Sequence, residues 1–447
     1  MTDRRHEMAQ ERIGRLLFRY STPAMVAMFV NSTYNLVDAI FVGQGVGPLA
    51  LAALAVTFPI QMIILATAQV VGIGSASIIS RSLGAGNSRR ADRVAGASFA
   101  NTTVGAVALT VAGLWFLEPL LRLFGATEAV LPYAHDYMSV ILGGCVFFSF
   151  AVSSNNVVRS EGNAKVAMSS MVIGAIVNLI LDPVFIFGLG MGVRGAAIAT
   201  VIGNVCSFTF LTAYFMSGNS ILKIRLADLA PDLKTLPEVI AVGAPSFARV
   251  VAGSLFAIVL NHSIIHYGTE LHLAVMGIAN RVLMFMFLPL IGLVQGLQPI
   301  LGFNYGARNN ARVKEALWKG VAVGTTMALS GFAVLMCFPR AILMLFNTDA
   351  TLLGEGVTIL RILATMMPVI GFQTVGASLF QAIGKAFPAL FLSMSRQVFF
   401  LIPLMIALPF FMRLTGVWLA FPISDLLSTF VTAVWVRREI RLLDRRG

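Results

Sequence analysis

The sequence predicts an all-α polytopic membrane protein. Twelve transmembrane helices form two six-helix bundles related by a pseudo-two-fold axis along the membrane normal. Three observations lead there. First, the 447 residues are 57% hydrophobic and only 12% charged, with mean hydropathy +0.85; a soluble domain carries about 25% charged residues. Second, about twelve apolar runs tile the chain, at 15–42, 50–80, 94–117, 130–157, 166–189, 195–217, 237–262, 272–300, 313–338, 355–380, 387–410 and 413–436. Third, the chain matches itself at an offset of 222, close to half its length.

Each run reaches the roughly 20 residues a helix needs to cross a bilayer. In lipid only helices and closed barrels satisfy the backbone, and these runs are too long and too uniformly apolar for barrel strands. Residues 1–20 are polar and basic and lead directly into the first span, which reads as a cytoplasmic segment and not a cleaved signal peptide. Span 1 carries Pro23, Asn31, Tyr34, Asn35 and Asp38, and span 2 runs out into Gly84-Ala-Gly-Asn87. Span 4 carries Tyr137 and Asn155, span 5 Asn178 and Asp182-Pro183, and span 6 Thr200, completing an N-lobe over 21–217. The most polar loop, 218–236, is long enough to join two moving lobes. In the C-lobe, 237–436, span 7 carries Pro245 and Arg249, span 8 Arg281 and span 12 Asp425; a basic tail, 437–447, closes the chain.

The charges then fall into a pattern. With the N-terminus placed in the cytoplasm, 25 of the 32 Lys and Arg lie on the inside, Lys385 and Arg396 among them. Five lie outside (Arg122, Arg194, Arg340, Arg361 and Arg413), and Arg249 and Arg281 stay within spans. Positive-inside bias sets orientation, so both termini are expected in the cytoplasm. The same placement accounts for the net charge of +12 without nucleic acid.

The repeat has a constant register across many landmarks. Pro23 pairs with Pro245, Leu49 with Leu271, Gly74 with Gly296, Gly84 with Gly306, Asn87 with Asn309, Arg90 with Arg312 and Gly162 with Gly384. One residue then drops out, and Gly195 pairs with Gly416. Six helices per half put the second half in the same orientation as the first. Parallel repeats of this kind are a transporter signature, with the substrate path between the halves.

Acids within the spans are Asp38, Asp182 and Asp425, and an intramembrane carboxylate is a functional candidate by default. Asn31, Asn35 and Asp38 share one helical face. Counted from the two surfaces, Asp38, Asn178, Asp182 and Thr200 reach one depth in the outer half of the N-lobe, with Tyr137 near it. Pro183 frees a carbonyl one turn back that can serve as a further oxygen ligand. A hard-oxygen set of this kind suits Na⁺ or a proton. Two neighbouring carboxylates in a low dielectric do not both ionise cheaply, which makes the pair a proton-binding switch. The alternative is a hydrogen-bonded pair that merely fixes helix 1 to helix 5. At the repeat positions of Asp38 and Asp182 stand Leu260 and Leu404, so only one lobe is built to bind a cation. Arg249, Arg281 and Asp425 read as a buried charge network in which Asp425 neutralises an arginine; substrate contact is the other option.

Cys145, Cys206 and Cys337 are isolated in apolar runs and read as buried thiols. His262 and His266 lack the intervening Glu of a zinc-protease helix, and no Walker A pattern occurs. No cofactor, resident metal or enzymatic motif is expected, and a monomer is.

At this point the residues are recognisable. The stretch Asn35-Leu-Val-Asp38 before Phe41-Val-Gly43, the paired Gly84-Ala-Gly-Asn87 and Gly306-Ala-Arg-Asn309, and Asn178-Leu-Ile-Leu-Asp182-Pro resemble the multidrug and toxic compound extrusion (MATE) family. The resemblance runs over essentially the full chain and points to the DinF-like branch and its MepA-like bacterial members. It implies residence in the bacterial cytoplasmic (inner) membrane and export of amphipathic, mostly cationic drugs or toxic metabolites. Na⁺ or H⁺ entry would drive that export by rocking of the two lobes. It also implies cation coupling at Asp38, Asn178, Asp182 and Thr200, with Tyr137 and Asn155 as neighbours. Two alternatives stand beside it. One is a lipid-linked saccharide flippase, in which Arg249 and Arg281 would meet a pyrophosphate; the other is an intramembrane enzyme.

Overall fold

The computed structural model describes residues 4–446. Residues 1–3 and 447, at the ends of the expected N-terminal segment and basic tail, lie outside the described residues. Among the described residues the helices group into twelve spans. In the first half they are α1 (Ile13–Gly45), α2 (Pro48–Gly84), α3 (Ser88–Trp115), α4 (Leu131–Gly143 with Cys145–Ser160), α5 (Ala164–Pro183, prolonged by a π-turn at Val184–Gly188) and α6 (Gly192–Met216). In the second they are α7 (Leu236–Tyr267), α8 (Glu270–Gly306), α9 (Asn310–Cys337) and α10 (Ala350–Ala364 with Met367–Ala382). A last helical run, 386–446, contains α11 and α12. Arg413 leaves helical geometry there, at φ 50° and ψ −133°. A Cβ on Gly416 would collide with the backbone of Leu408, although eight residues of straight helix span about 12 Å. The chain therefore folds back at Arg413, with α11 on one side and α12 on the other.

The spans expected as single runs at 130–157 and 355–380 are each bent, by 55° and 42°. Short helices at Leu117–Leu123 and Pro339–Met344 occupy repeat-related positions before them. The expected N-terminal segment is itself helical over Arg4–Gln10, and α1 starts inside it. Of the three cysteines only Cys145 is buried against protein; Cys206 is half-buried and Cys337 exposed. Large apolar side chains such as Phe18, Trp115, Phe410 and Phe411 are exposed. In water such a surface is a liability; on a bundle of this length it is the lipid-facing belt.

The lobes meet chiefly through α2 against α7, α1 against α8 and α2 against α8. The close approaches lie toward the end of the bundle that bears both termini. A Cβ on Gly84 would strike the Phe303 carbonyl, and one on Gly306 the Arg81 carbonyl. These two contacts exchange under the 222-residue offset, so the pseudo-two-fold axis passes between α2 and α8 here. Gly292 and Gly296 seat Met25 and Ser21 of α1 in the same way.

The repeated Gly-Ala-x-Asn turn now has a physical account. Gly86 and its partner Arg308 adopt left-handed backbone, at φ 75° and 57°. Asn87 and Asn309 then cap α3 and α9 by accepting from the Arg90 and Arg312 N–H at 3.0 and 3.2 Å. Arg90 crosses to the C-lobe and Arg312 to the N-terminal segment. Arg90 pairs with Glu238 at 2.7 Å, and Arg312 donates to the Met8 and Glu11 carbonyls.

The inter-lobe loop does not hang free but is stapled to the N-lobe. Asp92 accepts from the Lys223 N–H at 2.9 Å, and Arg89 pairs with Asp228 at 2.7 Å. Glu161 accepts from Ser220 and the Ile221 N–H. Burial pushes the Glu161 carboxyl above the usual carboxylate range, against the pull of Tyr214, Ser220 and Arg4. The Arg89 hydrogen bond holds Asp228 below that range.

Gly84→Ala or Gly306→Ala is expected to destabilise the protein by about 1–3 kcal/mol, the usual cost of an added methyl in a packed contact. Gly105→Ala, where a Cβ meets open space, should leave the melting temperature in detergent unchanged or slightly raised. A Gly84→Ala protein that melts like wild type would contradict a backbone-tight seam.

Candidate functional site

A broken helix, α5, and the continuous α1 build the polar cluster of the N-lobe. Asp182 is the last residue before Pro183 and the π-turn at Val184–Gly188, and it is fully buried. The proline removes one backbone donor, and the wide turn re-aims the chain. Across from it α1 presents Asp38, and the two carboxyl groups are close enough to influence each other. Asn178, one turn before Asp182, donates to Asp182 Oδ1 and to Thr200 Oγ1 of α6, both at 3.2 Å. Tyr34 and Tyr137 flank the pair closely enough to feel both charges.

Three buried oxygens here accept no hydrogen bond: Asp38 Oδ1, Asp182 Oδ2 and Asn178 Oδ1. An unpartnered buried acceptor is costly, and three from three neighbouring side chains form an electron-rich cradle. It suits a proton shared between carboxyls or a small hard cation. Among the described residues no group of three or more His, Cys, Asp or Glu could hold a metal ion.

Not every expected residue joins the cluster. Asn35 donates to the Asn31 carbonyl at 2.7 Å within α1, and its side chain also contacts Tyr34. Asn155 instead ties α4 to α5, donating to the Ala167 carbonyl and Ser170 Oγ; Ser170 lies 12 residues, about 18 Å of helix, before Asp182. Pro23 is buried at the α1–α8 crossing beside Ser21 and Met25, about 22 Å of helix from Asp38. One participant was missed. Gln61 of α2 lies beside Tyr137 and donates to Thr57 Oγ1 at 3.5 Å, and its signal was an amide one turn after Thr57.

The C-lobe network is corrected. Asp425 is buried and does bind an arginine, but the partner is Arg396, at 2.6 Å. Arg396 was counted with the inner-side charges. It lies within α11 in a second π-turn, Ser395–Leu401, whose extra residue swings the side chain toward α12. Its guanidinium also sits 5.6 Å from the Phe287 ring centroid. Arg249 reaches Ser246 Oγ at 3.5 Å instead, and Arg281 is exposed.

Comparison with known proteins adds an independent line. A family model described as MatE matches residues 23–184 and again 245–406, displaced by the same 222 residues. The chain is 25% identical over 407 residues to the multidrug export protein MepA of Staphylococcus aureus, covering 91% of this chain and 89% of that one. It is 28% identical over 433 residues to an FAD transporter of Shewanella oneidensis, covering 95% and 94%. It also superimposes on an outward-facing multidrug resistance MATE family transporter with TM-score 0.93, at 30% identity over 99% of each chain. A MOP superfamily transporter from Pyrococcus furiosus, described as having a binding pocket of reverse polarity, matches with TM-score 0.93 at 29% identity over 99% of each chain.

Asn178→Ala removes the donor shared by Asp182 and Thr200. It is expected to cost about 1–3 kcal/mol through the unpaired carboxylate oxygen, with Thr200→Val costing less because Asn178 keeps its bond to Asp182. Thermal melts in detergent would read both, and equal effects of the two variants would speak against Asn178 as the central strap.

Proposed function

The chain belongs to the MatE family of membrane transporters, and from that premise we propose that it is a cation-coupled antiporter exporting amphipathic, mostly cationic drugs or toxic metabolites. The coupling ion is H⁺ or Na⁺, and it binds at Asp38, Asp182, Asn178 and Thr200. The observation that carries this reading is the set of three unpartnered buried oxygens around a facing carboxyl pair. Its charge state must change for the pair to be comfortable in a low dielectric.

The arrangement of α1 supplies the mechanism. One end of this helix crosses α8 at the inter-lobe seam, through Ser21 and Met25. The other end carries Asp38. Pro23 lies at the crossing and lacks the N–H that would stiffen it. A cation that draws Asp38 toward Asp182 and Asn178 therefore acts on a rod whose far end helps close the seam. The inter-lobe hydrogen bonds described, from Ser21, Ser77, Arg81, Arg90, Arg159 and Arg312, lie toward the end bearing the termini. With that end cytoplasmic, the lobes are closed inward and drug is released outward. The cation drives transport only by binding one conformation better than the other. The protein acts as a monomer in the cytoplasmic membrane.

A second reading is favoured by Arg249, whose described partner is a hydroxyl and not a carboxylate. A phosphate-bearing anion, as in the name of the Shewanella relative, would meet it.

In proteoliposomes, wild-type protein is expected to move ethidium or a fluoroquinolone under an imposed Na⁺ or pH gradient. Asp38→Asn should remain folded and lose coupled efflux by about 100-fold or more, as expected when binding to the favoured state is abolished. Wild-type flux by the Asp38→Asn protein would sink the site assignment. Flavin nucleotide flux without drug flux would select the second reading.

A further inference from the structure

The helix at the start of the chain, Arg4–Gln10, stands outside the duplication. Its repeat positions, 226–232, hold a single turn, Leu226–Asp228, in the stapled inter-lobe loop. At seven residues it is too short to persist alone. Three sets of contacts hold it, each from a different body.

The N-lobe takes its first turn. Arg4 donates to Tyr214 Oη of α6 at 2.8 Å and pairs with Glu161, at the end of α4, at 3.6 Å. Met8 is fully buried, and a Cβ on Gly162 would meet its Sδ at 3.5 Å. Span α1 takes the acids. Glu7 and Glu11 both pair with Arg19, at 3.1 and 3.7 Å. The C-lobe takes the last turn. Arg312 Nη2 donates to the Met8 and Glu11 carbonyls at 3.2 and 2.7 Å, while its Nε donates to Asn304 Oδ1 of α8 at 3.0 Å.

The third set differs in kind from the others. The last carbonyls of a helix lack intrahelical partners and carry the negative end of its dipole. This helix has no basic residue in its last turn, and the chain leaves helical geometry just after it, with Arg12 at ψ 128°. The cation that satisfies its end therefore comes from the C-lobe. The repeat-related Arg90 makes a different bond. It crosses the seam to Glu238 in the first turn of α7, a helix of 32 residues. One arm thus grips a long helix that stands without it, and the other completes a short helix that does not.

We propose that Arg4–Gln10 is a latch across the inter-lobe seam. Arg4 and Met8 fix it to the N-lobe, and Arg312 caps it from the C-lobe. It holds the end bearing the termini closed and lets go when the lobes part there. Parting withdraws the Arg312 cap, so the last turn frays; closing restores it. The break at Glu11 and Arg12 lets the helix swing without bending α1, and the Arg19 pairs pass movement of α1 to it. The latch thus favours the closed state of this end by binding that state alone. The proposal is independent of the cargo and of the coupling ion.

Hydrogen exchange of the purified full-length protein in detergent tests it, because exchange at the seam reports how often the seam opens. Arg312→Gln is expected to speed exchange of the seam amides at 78–84 and 300–306 about tenfold, the equivalent of one charge-assisted hydrogen bond. Arg312 also holds Asn304, so Arg4→Gln is the decisive variant. The described bonds of Arg4 go to N-lobe groups, and Glu161 keeps Ser220, Tyr214 and the Ile221 N–H, so this variant should fold. Freeing the far end of the latch should speed seam exchange severalfold. Amides at the opposite end of the bundle, 262–270, should not speed up in either variant. Wild-type seam exchange in Arg4→Gln, or an equal rise at 262–270, would overturn the proposal.

Discussion

Two glycines carry the architecture. Gly84 and Gly306 let the ends of α2 and α8 meet backbone to backbone across the pseudo-two-fold axis, each lying on a carbonyl of the other helix. In lipid there is no hydrophobic force to press helices together, so association rests on close packing and on hydrogen bonds. A side chain at either position would hold the axis open. The surrounding polar contacts presuppose this closeness. Arg90 reaches Glu238 and Arg312 reaches the Met8 and Glu11 carbonyls only because the two turns lie side by side.

The duplication is symmetric in its seam and asymmetric in its chemistry. Asp38 and Asp182 have Leu260 and Leu404 at the equivalent positions, and Leu260 is buried in the apolar core. The C-lobe has instead turned its one intramembrane acid inward, to Arg396. A pair of carboxyls in one lobe and a neutralised ion pair in the other place any change of charge state on a single side. α1 spans from that side to the seam, so in the mechanism we propose it is the physical link between cation binding and the closure of the lobes.

Legibility differed by the kind of feature. The repeat register was readable because its landmarks are turn glycines, caps and prolines whose roles are local. The meeting of Asp38, Asn178, Asp182 and Thr200 was readable because depth in a bilayer follows from counting along straight helices. The partner of Asp425 was not, because Arg396 had been counted with the inner-side charges, whereas a π-turn in α11 brings it to α12. Asn155 and Pro23 share lobe and helix with the site but not depth, and Gln61 reaches it only through the packing of α2 on α4.

The sequence by itself determined the number of spans, their parallel duplication and the lobe that holds the acid pair. These follow from hydropathy, register and the cost of charge in lipid, all of which act locally along the chain. Only the tertiary structure decided which polar groups are satisfied. Among the described residues it left acceptors open at Asp38, Asp182 and Asn178 and gave Arg159 an amide, Gln295, as its partner. Satisfaction is a property of what stands opposite a side chain, and in a two-lobed bundle that neighbour is supplied by a helix far away in sequence.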